Sequence, residues 1–135
     1  LKNKEYYINT NITYAVDGLT VKGTYGTATA KKLDNTLYTA DDEAENADNV
    51  EGTVRTYGLK HNHKEIVNSQ ASGILQLTDW YSLRAADGGT AVPSNIATYR
   101  AAIRTKANTH TTAIDNAADV DALAALVYDW PVLGS

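Results

Sequence analysis

From Tyr6 to Thr29 apolar side chains alternate with polar ones, and beyond His63 they recur every three or four residues, so the chain reads as strands first and helices afterwards. In the strand-like part, Ile12, Tyr14 and Val16 alternate with Thr13 and Ala15, and Leu19, Val21 and Gly23 alternate with Thr20 and Lys22. The Asp17-Gly18 step between them suits the positive φ angles of a tight turn, so Ile12 to Val16 and Leu19 to Tyr25 are predicted to pair as a hairpin with one apolar face. Residues Ala30 to Tyr38 fit either a helical turn through Leu33 and Leu37 or a third strand around Thr36 to Thr39.

A helix from about Asn62 to Ala86 is predicted from Ile66, Ile74, Leu77 and Tyr81, a stripe that Val67, Leu75 and Trp80 broaden. Asp87-Gly88-Gly89 stops it, and Pro93-Ser94 opens the next. That second helix carries Ile96, Tyr99, Ile103, Ala107, His110 and Ile114 at steps of three and four, the strongest periodicity in the chain. So short a connection predicts an antiparallel helical hairpin. A third helix, capped by Asp119, runs through Val120, Leu123, Leu126 and Val127 and ends before Pro131.

The expected architecture is therefore α+β. A strand-rich arm over residues 1–40, with a β-hairpin or small antiparallel sheet, is followed by an acidic loop or linker over 41–60. A C-terminal three-helix unit with a helical hairpin covers 61–135. The linker assignment rests on six carboxylates in the eleven positions from Asp41 to Glu51, with almost no large apolar group among them. No repeat of 20 to 50 residues and no sustained heptad array suggests a solenoid or long coiled coil.

Composition changes the picture in two ways. With no Cys, Met or Phe, nine Tyr and two Trp, tyrosine is expected to do much of the packing. Because a buried phenol needs a hydrogen-bond partner, such a chain also suits wet surfaces and subunit contacts. The net charge of −4 leaves no cation excess for phosphates, so nucleic acid is not an expected partner. No stretch nears the ~18 to 20 apolar residues of a membrane-spanning helix, and no basic segment followed by an apolar run opens the chain. No membrane partner is expected.

His61-Asn62-His63 is the one local arrangement with metal-ligand character. On a strand both imidazoles would point to the same side; on a helix they diverge by about 200° and cannot share an ion. The acidic run lacks the central glycine and alternation of a calcium loop. Ser69, His63 and Glu65 lie on one predicted helix without a nucleophile elbow. Neither an enzymatic activity nor a cofactor is expected.

Four segments carry a resemblance: Thr78-Asp79-Trp80-Tyr81-Ser82-Leu83-Arg84, Gly88 to Pro93, Tyr99-Arg100-Ala101-Ala102-Ile103-Arg104, and Asp129-Trp130-Pro131. In this order they resemble the helical segment of bacteriophage tail-fibre assembly proteins and related tail proteins. The likeness covers about residues 78–131. It departs from the pattern in lacking a longer insertion near the Trp-Pro step and in carrying the acidic run.

The resemblance implies a virion structural protein of the tail, fibre or baseplate region, made in the bacterial cytoplasm, whose partners are other virion proteins and further copies of itself. A non-virion chaperone for fibre assembly, and a module whose tyrosines stack on host glycans, are the alternatives. The expected clasp and interface residues are Trp80, Tyr81, Arg84, Tyr99, Arg100, Ile103, Arg104 and Trp130. Rings from the two helices would meet across the Gly/Pro loop, and the arginines would stack on them or pair with Asp79, Asp87 and Asp129.

Overall fold

The computed structural model describes residues 1–134. Its elements in chain order are β1 (Tyr7–Ile8), β2 (Ile12–Asp17), β3 (Thr20–Tyr25), β4 (Thr29–Ala30), β5 (Thr36–Leu37), α1 (Ala40–Glu45), β6 (Val54–Thr56), α2 (Leu59–Gln76), α3 (Asp79–Ala86), α4 (Ser94–Asn116) and α5 (Val120–Ala124). Strands fill the first half and helices the second, the α+β order expected from the change of period. The chain divides into two compact units. One comprises Leu1–Leu59 with Asp119–Ala124; the other comprises Lys60–Ala118 and the chain from Ala125 onward.

In the first unit three two-stranded antiparallel ribbons form, pairing β1 with β4, β2 with β3 and β5 with β6. The predicted hairpin is the longest: Ile12 lies opposite Tyr25, Tyr14 opposite Gly23, Val16 opposite Val21 and Asp17 opposite Thr20. That register leaves Gly18 and Leu19 as a two-residue loop, with Gly18 at φ +62°. A side chain there would be strained, so glycine closes the turn. Leu19, expected in the strand, is fully exposed at the tip. The ambiguous stretch resolves as strand, Thr36 pairing with Thr56 and Leu37 with Val54.

Inside the acidic run a single helical turn forms where a loop was expected. Its cause is local, because Thr39 is a capping-box residue: its hydroxyl accepts from the Asp42 amide while the Asp42 carboxylate accepts from the Thr39 amide at 2.8 Å. The Arg55 guanidinium sits 3.3 Å from Asp42. Gly58 is required for close approach, since a Cβ there would stand 2.3 Å from the Leu33 carbonyl oxygen. Its amide donates to Asn35 Oδ1 at 2.8 Å. Leu59, Val120 and Leu123 are this unit's buried apolar residues, and the Tyr7 hydroxyl donates to the Asp121 carboxylate.

In the second unit α2 and α4 run antiparallel. Lys64 near the start of α2 pairs with Asp115 near the end of α4 at 2.5 Å, while Arg100 near the start of α4 reaches Leu75 near the end of α2. The buried stripe of α4 is Ile96, Arg100, Ile103, His110 and Ile114. That matches the expected periodicity, with Arg100 buried where Tyr99 was expected. Within this unit the buried positions of α2 are His63, Val67 and Ala71, four apart.

The expected Ile66, Ile74, Leu77 and Tyr81 stripe is thus corrected: Ile66 is 42% and Leu77 76% exposed. Two causes account for it. His63 belongs to the core despite its polarity, and the helix breaks after Gln76. There the Leu77 and Thr78 amides donate to Ile74 and Leu75, three residues back, so the helical phase is lost.

Two further expectations are corrected. None of the nine tyrosines is fully buried; Leu, Ile, Val and Ala fill the core, because a phenol at the boundary keeps its hydroxyl satisfied. The third helix stops at Ala124 rather than running to Val127, which is 79% exposed. Asp119 does cap it, Oδ1 accepting from the Ala122 amide at 2.7 Å. Among the described residues no helix is long and apolar enough to cross a membrane.

Candidate functional site

Arg100 is held where α2 gives way to α3. Its Nη1 donates to the Leu75 carbonyl at 2.8 Å and to Thr78 Oγ1 at 2.7 Å, and its Nη2 donates to Asp79 Oδ1 at 2.9 Å. The guanidinium fork fits this task because its donors are planar and fixed, so one side chain satisfies the frayed end of one helix and the first residue of the next. Only the Asp79 side reaches solvent, at 50% exposure against 10% for Arg100.

One turn further on, Trp80 and Tyr81 stack with ring centroids 3.7 Å apart. The Arg84 guanidinium lies 5.0 Å from the Trp80 ring centre and 5.5 Å from that of Tyr81. Among the described residues its buried Nε has no hydrogen-bond partner, and the guanidinium group lies against the two rings. Trp80, Tyr81 and Arg84 are therefore brought together within α3. Tyr99 does not join them; it lines a shallow groove with Ala102, Pro131 and Val132. Arg104 is exposed and Ile103 is fully buried in the core.

Trp130 belongs to a second cluster, made where the C-terminal segment crosses α2 and α4. The Tyr128 hydroxyl lies 2.6 Å from His63 Nδ1, and the Tyr128 ring meets both His63 and His110 edge-on, with centroids 5.9 and 5.3 Å away. His110 Nε2 lies 2.7 Å from the Asp129 carbonyl oxygen, and its ring meets Trp130 edge-on at 5.2 Å. Trp130 Nε1 donates to Gln70 Oε1 at 2.9 Å. Lys106 pairs with Asp129 at 3.0 Å; its hydrogen bond is the main reason the Asp129 carboxyl sits below its usual value of 3.8. Asp129 was expected to face an arginine, and lysine takes that place.

His61 and His63 both lie in α2, two positions apart. At 100° per residue their side chains diverge by about 200°, so the pair does not face one ion, as the helical alternative required. Among the described residues no group of three or more His, Cys, Asp or Glu side chains is arranged to hold a metal.

No protein-family profile, curated protein or solved structure matches this chain. Its chemistry is read from its own surfaces. One run of exposed apolar side chains lies on the β2–β3 hairpin. In its register Ile12, Tyr14, Val16, Val21, Gly23 and Tyr25 share one face, while Thr13, Ala15, Asp17, Thr20, Lys22 and Thr24 share the other. The first face carries no charge and is open to solvent: Tyr14 is 72%, Val16 76% and Val21 64% exposed. The second face carries the Asp17–Lys22 ion pair at 3.3 Å.

The alternation that made this face was legible in the sequence; its exposure was not. Missed altogether were Gln70, Lys106 and Tyr128, whose side-chain partners lie 18 or more residues away. No local pattern marks such contacts.

Proposed function

We propose that this chain is a structural protein of a bacteriophage particle, in the tail, fibre or baseplate region, acting through protein–protein contact rather than catalysis. The observation that carries the reading is the uncharged hairpin face. Valines and tyrosines left in water on a ribbon of only two strands cost solvation free energy that a partner surface recovers. A two-stranded ribbon is also marginal alone, since both strands are edges with unpaired backbone groups. The resemblance of residues 78–131 to tail-associated proteins supports the same reading and supplies its setting.

The helical unit is held together by a core of its own. Its buried Val67, Ile103 and Ile114 contribute about 1.5 to 3 kcal/mol each, and Arg100 and the two histidines tie the break and the C-terminal segment to it. Mass spectrometry of purified particles of the encoding virus tests the proposal. The chain is expected at a fixed stoichiometry after washing at high salt. Its presence in lysate together with its absence from particles would replace the structural role with that of an assembly factor that leaves.

A further inference from the structure

We infer that the apolar face of the β2–β3 hairpin is the contact surface of a homodimer, in which two copies of this chain lay these faces against each other. The inference rests on the assembly reading above and names the first partner. Three properties of the face select a second copy.

The first is area. A tyrosine side chain presents roughly 150 to 250 Å² and valine somewhat less, so Tyr14, Val16, Val21 and Tyr25 at their observed exposures offer on the order of 450 Å². A standard interface buries about 800 Å² on each partner. Two such faces together reach the size of a weak, reversible contact, and a contiguous apolar patch of this size is more than the scattered single groups of an ordinary surface.

The second is charge. No ionisable acid or base other than the phenols lies on the apolar face, and Asp17 and Lys22 neutralise each other on the opposite one. Two such faces meet without like-charge contact, whereas a partner presenting a carboxylate or ammonium would bury it unpaired at a cost of several kcal/mol. The net charge of −4 opposes self-association only at long range, where salt screens it.

The third is shape. Gly23 lies opposite Tyr14, and the Tyr14 ring leans over it, so that a Cβ on Gly23 would stand 3.1 Å from Tyr14 Cε1 and 3.0 Å from Ile12 Cγ2. The ring fills the place of the missing side chain. An uncharged face meets its own copy under a twofold axis without a charge mismatch, as an isologous contact requires, and two such ribbons stack about 10 Å apart with side chains interdigitating.

The test is the mass of the full chain by sedimentation equilibrium at micromolar concentration, against 14.6 kDa for one copy. A species of twice that mass is expected, strengthened by added salt. Val16→Glu, on the apolar face, should weaken the dimer by at least roughly tenfold, about 1.4 kcal/mol, while Ala15→Glu makes the same charge change on the other face and should leave it intact. Val21→Lys is the second variant, and the helical circular dichroism of each checks that it folds. A monomer at every concentration, or equal effects of Val16→Glu and Ala15→Glu, would overturn the inference. A monomer that is still recovered in particles removes the homodimer and leaves the structural role standing. A dimer absent from particles does the reverse.

Discussion

His63 and Tyr128, 65 residues apart in the chain, meet with the imidazole Nδ1 2.6 Å from the phenol oxygen. His63 is 6% exposed, so this contact satisfies a polar ring atom inside the helical unit. It also joins the first turns of α2 to the segment after α5, which otherwise lacks regular structure. Tyr128→Phe keeps the ring and removes the hydroxyl, and should cost about 1 to 2 kcal/mol because the histidine nitrogen is left without it. Tyr128→Ala should cost more, since the edge-on contacts to both histidines go too. Urea denaturation followed by circular dichroism measures both; equal stability of Tyr128→Phe and the parent would show that the hydrogen bond contributes nothing.

Arg100 supports a sharper contrast. Arg100→Met fills similar space but drops the bonds to Leu75, Thr78 and Asp79 together, and should destabilise by roughly 2 to 3 kcal/mol. Asp79→Asn should cost less than about 1 kcal/mol, because that carboxylate is half exposed and screened by water. Arg100→Lys should resemble Met more than Arg, as an ammonium cannot reach three acceptors in the fork's geometry. A result in which Asp79→Asn matches Arg100→Met would assign the stabilisation to the ion pair and not to the helix break.

Asp129 gives a pH dependence whose sign follows from its neighbours. The Lys106 hydrogen bond lowers the folded carboxyl below its ordinary value of 3.8, with Lys106 and His110 charge as smaller contributions. A depressed carboxylate stabilises the fold fully above the unfolded value, and this contribution is lost as pH falls through the lower folded one. Stability should therefore decline below about pH 4 in part through this pair. Lys106→Gln should move the Asp129 titration, read by carboxyl carbon NMR, upward. An unchanged midpoint would mean that the ammonium does not act on it.

Which parts were legible follows from how far each signal reaches along the chain. The hairpin, its turn at Gly18, the long α4 and the Asp119 cap depend on residues within a few positions of one another, and all were predicted. The α1 turn also has a local cause, the Thr39–Asp42 capping box, but the density of carboxylates concealed it. On α2 the inward side was misassigned, because a hydropathy pattern scores His63 as polar and cannot know that Tyr128 will satisfy it.

By itself the sequence determined the order of strands and helices, the two faces of the hairpin and the periodicity of α4, because backbone geometry imposes periods of 2 and 3.6 on neighbouring side chains. Only the tertiary structure decided that the hairpin's apolar face lies in water, that α2 breaks before Thr78 and that Tyr128 and Trp130 leave helical structure to reach His63, His110 and Gln70. Those outcomes depend on which groups remain unburied or unsatisfied once the whole chain has folded, a balance between distant residues that no local window contains.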